Sequence, residues 1–160
     1  MNRIVVGISD LKVSGGVEDV LITYALGSCI AVVVYDSVVK VGGLLHFMLP
    51  NSSLDLNKSR VTPAMFADTG IPFLFKSCYK LGAEKRRMTV KIAGGASILD
   101  NAKHFRIGQR NITALRKIFW RNNVLIDGED TGGDHNRTVS LDISTGKVVV
   151  KNSSRILLEL

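Results

Sequence analysis

Val20-Leu21-Ile22-Thr23-Tyr24-Ala25-Leu26-Gly27-Ser28-Cys29-Ile30-Ala31-Val32-Val33-Val34-Tyr35 is the most apolar stretch of this 160-residue chain. It is shorter than the ~20 residues a membrane-spanning helix needs, and Thr23, Gly27, Ser28 and Cys29 interrupt it. Its β-branched residues fit two buried strands, 20–25 and 30–36, better than one helix. Leu26-Gly27-Ser28-Cys29 is then the tight connection between them. Outward from this pair, 3–8 reads as a first strand and 41–49 as a further apolar run ending in the turn residues Pro50-Asn51-Ser52-Ser53.

The rest of the chain alternates in kind. Residues 59–81 follow the helical period, with a break expected near Thr69 because Gly70 and Pro72 follow, and with Gly82 as the stop. A strand at 88–93 runs into Gly94-Gly95. Asn111 is read as the cap of a helix reaching to about Asn122, with Ile112, Leu115, Ile118 and Phe119 on one face. Strands are expected at 124–127, 138–143 and 148–151, the last two joined through Ser144-Thr145-Gly146-Lys147 as a hairpin. Seven or eight strands and two or three helices, with strands clustered at both ends, predict an α+β (layered α/β) fold. Mixed, largely antiparallel sheets pack with the helices in one domain over 1–160.

Composition excludes several classes. Hydrophobic content of 46% and charged content of 22% are ordinary for a globular protein. The N-terminal stretch is too short in apolar residues for a signal peptide, and the chain's two cysteines, Cys29 and Cys78, are expected as reduced thiols in a cytoplasm. Net charge is +7, from 21 basic and 14 acidic residues. The stretch 103–121 holds six Lys or Arg and no acid. Such a face meets nucleic acid, phosphate or an acidic protein, or is simply solvated. No RNA- or DNA-binding motif accompanies it.

Cys29 follows Gly27 and Ser28 at a tight turn, which lifts a side chain out of a sheet and leaves backbone N–H groups free to hold an oxyanion. The competing reading is a buried small hydrophobe. His46 lies in Leu44-Leu45-His46-Phe47, where alternation permits either face. Two neighbouring strands could bring it to Cys29, and a Cys–His pair is the minimum for thiol catalysis. A hydrogen-bonded core histidine is the alternative. Thr23 carries a hydroxyl that can fix an imidazole tautomer, or is a plain β-branched strand residue. Cys78 has the spacing of a buried helix face. His104 and His135 have no ligand spacing with either cysteine, so no metal site is expected. Gly94-Gly95 lacks the lysine and hydroxyl of a phosphate loop. Asp127, Glu129 and Asp130 read as solvated loop acids.

Five ordered blocks sharpen this reading. Thr23-Tyr24-Ala25-Leu26-Gly27-Ser28-Cys29 is similar to the nucleophile motif of the CheD family of chemoreceptor glutamine deamidases. Gly43-Leu44-Leu45-His46-Phe47-Met48-Leu49-Pro50 resembles its histidine motif. Lys91-Ile92-Ala93-Gly94-Gly95-Ala96, Ile107-Gly108-Gln109-Arg110-Asn111, and Gly132-Gly133 with Arg137 and Thr145-Gly146-Lys147-Val148 resemble later family blocks. The resemblance spans nearly the whole chain. It implies Cys29 as nucleophile, His46 as base, Thr23 as the residue orienting the histidine, and Gly27 and Ser28 at the oxyanion site, with no metal and no cofactor. It also implies two partners: the cytoplasmic domain of a chemoreceptor as protein substrate, and a CheC-type phosphatase. A chain serving chiefly to bind and regulate that phosphatase is the rival reading. Nothing demands more than a monomer, nucleic acid or membrane insertion. Thr131 departs from the family pattern, where leucine is usual, and so does Asp134-His135-Asn136. Both concern partner or substrate contacts more than chemistry.

A free thiol of pKa ~8.5 is about 3% thiolate at pH 7. Lowering it to roughly 6 raises that about 30-fold, and the loss of nucleophilicity takes back about 13-fold. Thiolate formation therefore contributes only about twofold. Protonating the leaving nitrogen and holding the oxyanion must supply the larger share.

Overall fold

Strand β4 (Ile30–Asp36) is buried at every position, and so is its neighbour β5 (Val41–Phe47). That burial explains why both read as continuous apolar runs rather than alternating ones: each of their faces is covered by a different layer. A computed structural model describes residues 1–98, 106–152 and 157–160. Two five-stranded sheets stack face to face. One runs β2 (Asp10–Ser14), β5, β4, β6 (Met88–Gly94), β7 (Gly128–Thr131). The other runs β1 (Asn2–Val5), β3 (Asp19–Leu26), β8 (Arg137–Asp142), β9 (Val148–Asn152), β10 (Leu157–Glu159). Helices α1 (Leu56–Val61), α2 (Ala67–Lys80) and α3 (Ile107–Arg121) complete the chain.

The two faces of β4 and β5 belong to two cores. Val32, Val34, Leu45 and Phe47 pack with Leu74, Cys78, Leu115 and Phe119 of α2 and α3. Ala31, Val33, Tyr35 and Leu44 pack with Leu21, Leu26, Val139, Leu141 and Val150 of the second sheet. That second sheet has one solvated face, so β8 alternates buried and half-buried residues along its length. Layers therefore run β, β, α, and the α+β expectation holds with strands pairing both antiparallel and parallel.

Several expected boundaries moved. β2 and β10 went unread: β2 alternates polar and apolar residues, with Leu11 and Val13 on the core, but over only five positions, and β10 spans three. The helix break lies at the 3-10 turn Pro63–Met65, not at Gly70-Pro72. Pro72 stands inside α2, where its missing N–H would have met only the carbonyl of Asp68, in the first turn. Residues 124–127 are not a strand; the strand is β7, one step later. The three acids there keep contact with solvent, Asp127 and Glu129 being exposed, but each also has a partner. Asp127 Oδ2 accepts from the Val90 N–H at 2.8 Å. Glu129 takes both arms of Arg116, at 3.1 and 2.9 Å. Asp130 meets the buried Arg137 at 3.0 Å.

Candidate active site

β3 and β4 lie in different sheets, so the Gly27-Ser28-Cys29 turn is a crossing from one sheet to the other. The crossing is prepared by a bulge in β3. The β3–β8 register shifts between Thr23 and Leu26, and Ala25 takes a φ of 54°, left-handed backbone that an alanine adopts only under constraint. Past the turn, the Cys29 carbonyl accepts from the Gly95 N–H at 2.9 Å, and Gly27 does the same for Ala96 at 2.9 Å. Gly94, with a φ of +112°, sits so close that a Cβ there would collide with the Cys29 carbonyl oxygen. The glycine strand end thus holds the cysteine turn, which is why only Gly fits.

His46 pairs with Ala31 on one side and Asp10 on the other. Cys29 lies two residues before Ala31 and packs into the same inter-sheet core. It is therefore the diagonal neighbour of His46 on that face. From the opposite sheet Thr23 reaches across, its Oγ1 2.7 Å from His46 Nδ1. Thr23 and His46 are both fully buried.

The tautomer follows from counting protons. Thr23 Oγ1 also lies 2.7 Å from the Val6 carbonyl oxygen, which can only accept. The single hydroxyl proton goes to Val6, so toward His46 the hydroxyl accepts, and Nδ1 carries the ring proton. Nε2 is left with its lone pair. It is buried and meets no hydrogen-bond partner among the described residues.

Burial sets both protonation states. It pushes the His46 pKa down from 6.5 to about 4, and pushes the Cys29 thiol up, opposed in part by the Cys29 backbone N–H. The resting pair is neutral thiol and neutral imidazole. Burial leaves the Cys29 thiol above its ordinary value rather than below it. Cys78, in the helix-side core, is fully buried and its thiol is pushed up to about 12.

The low His46 pKa makes stability pH-dependent. Above pH 6.5 the ring is neutral in both states and contributes no slope. Between 6.5 and about 4 the unfolded chain binds a proton the folded one refuses, so stability falls as pH falls, by about 1.4 kcal/mol per unit. Chemical denaturation should show about 3 kcal/mol lost across that window, and His46→Gln should flatten that part of the curve. An unchanged slope in the variant would contradict the assignment.

Beside the turn, at Ser28, opens a cleft of about 980 Å³, with Arg106, Arg116, Gly133 and Asn136 on its walls. Thr131 and Asn136 both line it. His104 lies outside the described residues. His135 is half-buried, near the exposed Asp134 at 3.8 Å. Two residues escaped the sequence reading. Val6, whose carbonyl settles the tautomer, has no sequence signal. Asn111 is no helix cap: α3 begins at Ile107, and Asn111 is fully buried inside it. Its signal was position, since it heads the stripe Asn111-Leu115-Phe119.

Fold and site together define a two-sheet α+β protein with a thiol, an imidazole and a hydroxyl gathered at the seam between its sheets. Residues 48–152 match the family model described as CheD chemotactic sensory transduction. The chain is 66% identical, over all 160 residues and the whole of the relative, to a Syntrophus aciditrophicus (strain SB) protein named probable chemoreceptor glutamine deamidase CheD 1. It is 46% identical over 155 residues to a Solibacter usitatus (strain Ellin6076) protein of similar name, covering 97% of this chain and 92% of that one. The segment holding Thr23, Cys29 and His46 lies outside the 48–152 match and inside the full-length one. This chain belongs to the CheD family.

Proposed function

We propose that this chain hydrolyses glutamine side-chain amides of chemoreceptor cytoplasmic domains to glutamate and ammonia, with Cys29 as nucleophile, His46 as base and Thr23 orienting the histidine. The observation that carries the chemistry is the Val6–Thr23–His46 chain of hydrogen bonds. It leaves a buried, unprotonated Nε2 on the face where Cys29 packs. Full-length identity to relatives named chemoreceptor glutamine deamidases supports the substrate.

As the Cys29 sulfur bonds to the amide carbon, Nε2 takes the thiol proton, and the carbonyl oxygen becomes an oxyanion. The Ser28 and Cys29 N–H groups are its donors. The imidazolium then returns the proton to nitrogen, the C–N bond breaks and ammonia leaves. Water attacks the thioester, Nε2 taking its proton, and the C–S bond breaks to give glutamate and restore the thiol. No helix among the described residues is long and apolar enough to cross a membrane, which suits work on a receptor's cytoplasmic bundle. The basic face of α3, carrying Arg110, Lys117 and Arg121, suits an acidic partner. A CheC-type phosphatase is the second partner this reading includes.

Ammonia release from a glutamine-bearing receptor fragment tests the reading, with a gain of about 1 Da at one glutamine expected. Stable binding without that gain would favour the regulatory-module reading.

Thr23→Val removes the acceptor that holds Nδ1–H and keeps the shape. Turnover should fall ~10- to 100-fold, and Thr23→Ser should restore most of it. A mild effect of Thr23→Val on the kcat would count against the orienting role.

A further inference from the structure

The Asn111 carboxamide makes two hydrogen bonds, and both go to the catalytic strands' ends. Nδ2 donates to the Ser28 carbonyl at 3.0 Å and to the Met48 carbonyl at 3.0 Å. Two acceptors consume both amide protons and fix which way the amide faces. The two carbonyls sit where β4 and β5 part company. Ile30 and Phe47 form the last cross-strand pair. Beyond it the Met48 N–H turns to the Met65 carbonyl and the Cys29 carbonyl turns to Gly95. Asn111 bridges the gap left between them.

Its grip on Ser28 has a further effect. In a trans peptide the C=O and the following N–H point in opposite directions. The Ser28 carbonyl and the Cys29 N–H share one peptide plane, so holding the carbonyl aims the N–H. The Ala96 N–H, by holding the Gly27 carbonyl at 2.9 Å, aims the Ser28 N–H likewise. Those two N–H groups flank the nucleophile. Among the described residues, neither the Ser28 N–H nor the Cys29 N–H donates to a backbone acceptor. α3 comes close enough for this because Gly108 has no Cβ; one there would lie 2.5 Å from the Ala96 carbonyl. Asn111 achieves this while its Oδ1 stays buried with no partner among the described residues. That is an expense packing alone would avoid.

We propose that Asn111 is a positioning residue of this centre: by clamping the Ser28 and Met48 carbonyls it aims the Cys29 N–H at the oxyanion and keeps the nucleophile turn in register with the strand carrying His46. The proposal rests on the thiol-hydrolase reading above, and its test separates the two.

The test compares two reactions of Cys29 in Asn111→Ala and Asn111→Asp. Acylation by p-nitrophenyl acetate passes through an oxyanion; alkylation by iodoacetamide does not. Asn111→Ala should slow acylation, and the kcat of deamidation, ~10²-fold or more, with KM and the alkylation rate within about threefold. Asn111→Asp should be slower still near neutral pH, where a carboxylate faces two carbonyls. It should recover as pH falls and the protonated acid regains one donor, a slope the wild type lacks. Cys78, alkylated only if the core opens, reports folding in each variant. Equal loss of acylation and alkylation, or exposure of Cys78 in both variants, would make Asn111 a merely structural residue and overturn the proposal. So would acylation within about threefold of wild type. If the wild type releases no ammonia from a receptor fragment yet Asn111→Ala shows the selective acylation loss, the deamidase reading fails and the positioning role stands.

Discussion

Cys29→Ala should leave the chain folded and able to hold a receptor fragment, and lower ammonia release by about 10⁴-fold or more. The expectation is large because nothing else in the site can replace the sulfur. Thr23 Oγ1 is committed to Val6 and His46. Cys78 lies in the other core, fully buried with its thiol pushed up to about 12. Folding should survive because Cys29 is only half-buried and packs at the margin of the inter-sheet core. Its turn is held through the Gly27, Ser28 and Cys29 carbonyls rather than through the thiol. Steady-state ammonia assays beside thermal unfolding curves check both halves. Residual turnover above about a hundredth of wild type would mean that another group attacks the amide.

His46→Ala should cost ~10²- to 10⁴-fold in kcat, and raising the pH to about 9 should not restore it. Were the histidine needed only to make thiolate, alkali would do its work. Burial raises the Cys29 pKa, so alkali does increase the thiolate and turnover should climb slightly. The nitrogen leaving group still lacks an acid, and an amide nitrogen leaves poorly without one. In the wild type the same geometry predicts an acid limb near the folded His46 value of about 4 rather than near 6.5. Activity is present above that limb, where Nε2 is unprotonated, and lost below it. Wild-type turnover by His46→Ala at pH 9 would sink this division of labour.

Much of this was legible in the sequence because the residues involved are extreme. β4 and β5 are buried on both faces, and such strands announce themselves as apolar runs. Cys29 at a Gly-Ser turn and His46 within an apolar strand were candidates by position, each beside a plain structural reading, and it was the resemblance of the motifs around them that singled them out. What stayed hidden depends on long-range pairing. The alternation of Leu11 and Val13 in 10–14 fits a strand but says nothing of the register that places Asp10 beside His46. The Val6 carbonyl is backbone, identical in every residue but placed here by the parallel pairing of β1 with β3. Asn111 was misread because asparagine favours helix caps, and only the tertiary fold shows it buried against two strand ends. The acids at 127–130 are solvated as read, and their pairing stayed hidden because their partners, Val90, Arg116 and Arg137, come from three other elements.

The most direct test of the central claim is the mass of a glutamine-bearing chemoreceptor cytoplasmic fragment after incubation with wild-type chain in ¹⁸O-labelled water. Hydrolysis through a Cys29 thioester predicts a gain of about 3 Da at a particular glutamine, one heavy oxygen per ammonia released, and no gain with Cys29→Ala. An unchanged fragment mass, or an equal gain with Cys29→Ala, would contradict it.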